Sequence, residues 1–424
     1  MREMKDSGIE WVGNIPNDWS VLRNKYNFTL GKALVGQKWN ETQLLSLTKN
    51  GVKKIEDGEQ TGKVPASLAT YQKVKIDDLV MCLFDLDCSA VFSGVSNYDG
   101  MISPAYKCFK CKYHIYHKYA DYYFRTVFID RKYKRYSKNV RFSITAEEFL
   151  NLPIVVPPIY EQKKISLFLD SKCADIDSLI SDIQSEIKTL EEYKKSVITE
   201  AVTKGLNPDV EMKGSGIEWI GKIPIDWECI RGKDIFAQKS DKGNSKSLTL
   251  LSPTQNYGVI PQELYEVLTG FSAVKLNEKT DLNSLKTVHK GAFVISLRSF
   301  QGGFEYSDYE GVVSPAYQVF YPSKSIYDGY YKHLFKTQIF IDKMNCYTMS
   351  LRDGKNIAFS DFGRTYIPVP SVGEQKVIAD YLDEICSEIN RVIKEKNKQL
   401  ETLEEYEKSI IYEYVTGKKE VPEG

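Results

Sequence analysis

A few short stretches hold residue types that could do chemistry. VPPIY (156–160) has the outline of the N/D-P-P-F/Y tetrapeptide that positions an amino group for methyl transfer. Val156, however, stands where a polar residue must hydrogen-bond that group. GKALVGQK (31–38) spaces two glycines as a phosphate-binding loop does, but Gln37-Lys38-Trp39 follows instead of Gly-Lys-Ser/Thr. SFQGG (299–303) reads as a turn. CFKCKYHIYH brings Cys108, Cys111, His114 and His117 close together, with Cys82 and Cys88 upstream. Cys-x2-Cys is half a zinc site. The second half of the chain has Val319 and Pro322 at the matching positions, so buried thiols alternating along a strand are the simpler reading, and no metal is assigned. Four histidines leave little for acid–base work.

A different chemistry fits RKYKRYSKNVR (131–141). Arg131, Lys132, Lys134, Arg135, Lys138 and Arg141 stand there with no acidic residue and with Tyr133 and Tyr136 between them. Such cations neutralise phosphates, and arginine can also read a guanine edge through its fork. A solvated basic loop is the plain alternative. The matching stretch of the second half is less basic and offers Lys343, Arg352 and Lys355, with Arg298 beside a turn as a further candidate.

The elements that position these residues follow from a duplication. SGIEWVGNIPNDW (7–19) returns as SGIEWIGKIPIDW (215–227), GMISPAY (100–106) as GVVSPAY (311–317). Residues 161–203 align without a gap on 374–416. A chain of 424 residues that is 42% hydrophobic can bury more than one core. Each copy is expected to start with a compact α+β domain, at 1–150 and 213–365. Strand-like runs such as DDLVMCLF and KGAFVISL and helices such as KYADYYFRTVF suit that class.

A long helix should follow each domain, at 151–212 and 366–424. Ile176, Ile180, Ile183, Ile187, Leu190, Lys194 and Val197 keep 4,3 steps, as do Ile389, Ile393, Lys396, Leu400, Leu403, Glu407 and Ile410. A seam so narrow needs a partner helix, and each copy supplies one. The two are expected to pack as an antiparallel coiled coil roughly 60 Å long, related by a pseudo-two-fold axis. Gly205 and Gly417 should stop them. The repeated Trp11/Trp219 and Trp19/Trp227 read as core anchors, and Glu161-Gln162 and Glu374-Gln375 as helix starts that favour an acidic side chain.

Lys+Arg and Asp+Glu both number 57, so net charge neither requires nor excludes a nucleic-acid partner. Eight cysteines in so long a chain do not make a disulfide scaffold. The first residues, MREMKDSGIEW, lack an apolar signal region, and no apolar run is long enough for a membrane span. A cytoplasmic protein is expected.

The repeated SGIEW…IP…DW opening resembles the start of target-recognition domains in the specificity subunits of type I restriction–modification enzymes. LPIVVPPIYEQKKISLFLD and YIPVPSVGEQKVIADYLD are similar to that family's I-x-x-P-x-x-x-E-Q-x-x-I segment. The resemblance spans essentially the whole chain. It implies two target-recognition domains, each reading one half of a bipartite, asymmetric site on double-stranded DNA, and helices that set the spacer. It also implies docking of two modification subunits, which methylate adenine with S-adenosylmethionine, and of restriction subunits driven by ATP and Mg. The chain itself would be non-catalytic and hold no cofactor. Two other function classes stay open: an enzyme with its own nuclease or methyltransferase site, and a coiled-coil protein adaptor that never touches DNA. Salt separates the latter, since phosphate contacts weaken steeply with it.

Overall fold

The computed structural model describes residues 2–48, 51–56, 67–87, 93–137, 142–243, 248–272, 282–296, 303–347 and 357–422. Its contacts divide the chain into two units, residues 1–183 with 397–424, and residues 184–396.

In the first unit an antiparallel sheet runs in the order Phe28–Leu30, Lys107–Cys111, Leu79–Met81, Ser93–Val95. Leu79, Val80 and Met81 are buried in succession, as expected of a strand covered on both faces. Helix α1 (His117–Ile129) contributes Tyr119, Tyr123 and Phe124 to the core. Helix α2 (Ala146–Asn151) starts at a capping box in which Thr145 and Glu148 each satisfy the other's backbone amide. The strand Pro153–Val156 then pairs antiparallel with Ser20–Arg23. This pairing brings the repeated opening stretch to the entrance of α3 (Ile159–Lys204).

The second unit repeats the plan with additions. Its sheet has six strands in the order Phe236–Lys239, Gln318–Pro322, Ala292–Ile295, Phe304–Ser307, Gly258–Pro261, Leu251–Thr254. Helix α4 (Gln262–Thr269) follows the Gly258–Pro261 strand. The counterpart of α1 is broken into α5 (Asp328–Leu334) and α6 (Gln338–Asn345), because the Thr337 hydroxyl caps a new start at the Phe340 amide. Helix α7 (Phe359–Arg364) matches α2, and Glu228–Arg231 pairs with Tyr366–Val369 before α8 (Val372–Val415). Phe236, Phe293, Phe320, Phe335 and Phe362 interlock as the core, with centroids 5.1 to 6.3 Å apart.

Both long helices are shared. Helix α3 gives residues 159–183 to the first unit and 184–204 to the second, whereas α8 gives 372–396 to the second and 397–415 to the first. In the first unit Phe168 packs on Tyr414 with ring centroids 4.5 Å apart. In the second, Lys194 donates to Asn390 at 2.7 Å and Lys396 pairs with Glu186. In the second unit, the paired positions on α8 fall from 396 to 390 as those on α3 rise from 186 to 194. Along α3, Ile176 is buried and Ile180, Ile183, Ile187, Leu190 and Val197 are half-buried; along α8, Ile389 and Ile410 are buried and Ile393, Leu400 and Leu403 half-buried. Gly205 and Gly417 follow the helix ends with φ of 78° and 72°.

Candidate nucleic-acid interface

The repeated opening closes each unit around a helix start. Trp19 is 1% exposed, and its indole N–H donates to Glu161 Oε2 at 2.9 Å; Trp227 and Glu374 repeat the bond at 2.9 Å. Arg2 adds bonds to both Glu161 oxygens, at 2.5 and 2.9 Å. The next residue locks the turn that leads in. Gln162 donates to the Pro157 carbonyl at 2.8 Å and accepts from the Tyr116 amide at 2.7 Å. Gln375 makes the same pair with Pro370 and Tyr327, at 2.9 and 2.7 Å. VPPIY is therefore a strand-to-helix turn whose proline carbonyl is occupied.

Each unit also receives the end of the other long helix. The buried hydroxyl of Tyr119 donates towards the carbonyls of Val415 and Val155, at 2.9 and 3.1 Å. Tyr330 donates to the Val202 carbonyl at 2.7 Å. Sequence reasoning placed the tryptophans in the core but missed these specific bonds. The signal was present, because donor and acceptor both recur in both copies at matching spacing.

The basic segment emerges from this frame at the end of α1. Arg131 sits in the left-handed region, φ 54° and ψ 33°, and turns the chain into a 3-10 helix over Lys132–Tyr136. Its guanidinium is exposed and forms no ion pair with a described residue. Lys132 pairs with Asp130 at 3.3 Å, and Lys134 lies over the Phe142 ring at 4.5 Å. Arg135 is held by Glu10 of the opening stretch at 2.5 Å. Of the interleaved aromatics, Tyr133 is 2% exposed and belongs to the core. In the second unit Lys343 and Arg364 both approach the Tyr347 ring, at 5.2 and 6.0 Å. Arg364 is 67% exposed in its side chain and was not singled out in the sequence. Lys138, Arg141, Arg298, Arg352 and Lys355 lie outside the described residues.

The groups weighed for catalysis or metal binding are scattered. Cys82 and Cys108 are buried, and burial pushes the thiols of Cys108 and Cys111 up to about 12. Cys88 lies outside the described residues. No group of three or more His, Cys, Asp or Glu side chains able to hold a metal occurs among the described residues. His117 faces Asp77 at 3.3 Å, His289 faces Glu310 at 3.7 Å, and the His114 ring lies tilted against Tyr113. The 2.9 Å contact of His333 with Asp383 holds that carboxyl well below its ordinary range, at about 2, helped by Lys332. Tyr122 and Lys118 donate to Asp170 at 2.9 and 2.6 Å, so both sites fasten a head helix to a long helix. No helix of the described residues is long and apolar enough to cross a membrane.

Comparison with known proteins places these features. Residues 86–189 and 224–402 match the family described as the type I restriction modification DNA specificity domain. A Methanocaldococcus jannaschii protein, provisionally named type I restriction enzyme MjaX specificity subunit, is 25% identical, over 96% of this chain and 95% of its own. The type I restriction enzyme MjaVIII specificity subunit of the same organism is 27% identical over 64% of this chain and 63% of its own. Among solved structures, a chain from work on complex assembly and conformational transition of the type I R-M system shares the fold with a TM-score of 0.68. It covers 95% of this chain and 98% of its own at 13% identity. The HsdS subunit from Thermoanaerobacter tengcongensis gives 0.51, at 12% identity, over 96% and 98% of the two chains. The duplicated heads, the Glu-Gln helix starts and a family match over most of the length agree, and the chain belongs to the type I restriction–modification DNA specificity family.

Proposed function

We propose that this chain is the DNA-reading subunit of a type I restriction–modification complex, with each head reading one half of a bipartite, asymmetric target. The observation that carries this reading is the repetition of one frame with different surfaces. Trp19–Glu161 and Trp227–Glu374 build the same socket twice, while the cations differ: Lys134 lies over Phe142 in one head, and Lys343 and Arg364 over Tyr347 in the other. Shared residues hold the heads, and divergent cations reach phosphates and base edges. The paired helices act as an antiparallel coiled coil that fixes the unread spacer. They dock two modification subunits, which use S-adenosylmethionine, and the restriction subunits, which use ATP and Mg. The chain is non-catalytic and works in the cytoplasm.

Methylation mapping tests this. The chain is co-expressed with its cognate modification subunit in an unmethylated host, and the genome is sequenced for methyl-adenine. One bipartite motif with a fixed spacer is expected, and exchange of residues 1–150 should alter one half of it. A stable complex that marks no motif would sink the reading.

A further inference from the structure

Helix α4 presents its apolar residues to solvent. Gln262, Tyr265 and Thr269 are its half-buried positions, while Leu264, Val267 and Leu268 face outward and Phe271 follows the Gly270 cap. Val267 is 82% exposed and Phe271 75%. The three helical positions, Leu264, Val267 and Leu268, step i, i+3, i+4, the spacing with which a helix enters an apolar groove, and Phe271 extends the patch past the cap. Glu263 and Glu266 flank this face; Glu266 accepts from Gln262 at 3.2 Å, and no described cation pairs with either carboxylate. The matching stretch of the first repeat, IEDGEQTGKVPA (55–66), has no such set of apolar residues in its sequence.

The first unit carries the complementary surface. A groove of about 550 Å³ opens beside the start of α3, walled by Ile76, Tyr113 and Ile159 and rimmed by Lys110, Lys112 and Lys163. Tyr113 is 83% exposed. Of the acidic residues there, Asp77 keeps an exposed carboxylate 3.3 Å from His117 and Asp78 is buried, so one outward carboxylate stands against three lysines. The outward charge of the rim is therefore positive, opposite to that of α4. We propose that free chains self-associate, with α4 of one molecule lying in this groove of a second copy. Apolar area supplies the attraction, and the lysine–glutamate match sets the orientation. One helix and one groove per chain make the contact heterologous, so copies add head to tail.

Sedimentation velocity of the purified full chain over a concentration series tests the proposal. Larger species should grow with concentration and shrink with added salt. Val267→Asp with Phe271→Asp should raise the dissociation constant by about 100-fold. Lys110→Glu with Lys163→Glu should do the same, and adding Glu263→Lys with Glu266→Lys should restore association. Circular dichroism of each variant checks that it folds. A native chain that is monomeric at every concentration overturns the proposal. So does association that ignores Val267→Asp and Phe271→Asp, or a charge reversal that fails to restore it.

Discussion

Replacing Trp19 by phenylalanine removes the indole N–H that reaches Glu161 at 2.9 Å, in a site where the ring is 1% exposed. A hydrogen bond to a charged group contributes about 1.5–3 kcal/mol. The smaller ring also leaves a void where Trp19 lies against Gly417, adding about 1 kcal/mol. The expected loss is about 2.5–4 kcal/mol, a large part of a typical domain's stability. A double-mutant cycle of Trp19→Phe with Glu161→Ala, read by urea denaturation and circular dichroism, isolates the bond from the void. Arg2 still reaches Glu161 when Trp19 is changed, so the coupling should be about 1–2 kcal/mol. The cycle at Trp227 and Glu374, a bond of the same length in a less buried site and with no described arginine on the carboxylate, should also exceed about 0.5 kcal/mol. A coupling under about 0.5 kcal/mol at both sites would refute the claim that this bond is why the opening stretch is written twice.

Further outcomes follow from single groups. Arg131→Ala should weaken DNA binding about equally across sequences and lower the salt slope by about 1, whereas Arg135→Ala, whose partner is Glu10, should change the slope less. Asp383 has a depressed carboxyl pKa, so its contribution is present above the ordinary carboxylate range and lost as pH falls towards about 2. Asp383→Asn should therefore flatten acid denaturation curves in that window and leave the pH 7 to 8 slope alone. Lys336→Met strands the 1% exposed Glu305 carboxylate, 2.6 Å from the lost amine, and should cost about 3–5 kcal/mol in denaturant. Gly417→Ala would set a Cβ 2.4 Å from Pro16 at φ 72°, so it should lower the melting temperature, whereas Gly214→Ala, with open space around it, should not.

Repetition made the frame legible. Matching residues at matching spacing gave the two heads, the two long helices and the glycines that end them. The 4,3 steps named the faces of α3 and α8 that point away from solvent, because helical periodicity needs no tertiary knowledge. Polar pairings were harder to see. Glu161 at a helix start invites a dipole reading, and only the fold shows that the side chain turns inward to meet Trp19 from 142 residues away. Charge density overstated RKYKRY in the same way: Tyr133 faces the core and Arg135 is spoken for, because a segment wrapped on a head must spend some side chains on that head. Arg364 escaped notice because it stands alone in sequence and gathers with Lys343 only around Tyr347.

The sharing of the long helices sets an order of events during synthesis. Residues 184–396 form one uninterrupted unit, whereas the first unit also needs residues 397–424. The Tyr119 hydroxyl waits for Val415, and the Trp11 carbonyl for the Tyr412 hydroxyl 401 positions later. At ordinary ribosome speeds the first head stays open for roughly ten to fifty seconds after its own residues emerge. The half of the protein made first is thus the half finished last. Through that interval a chaperone, or a late-arriving helix from another nascent chain, has access to the open socket.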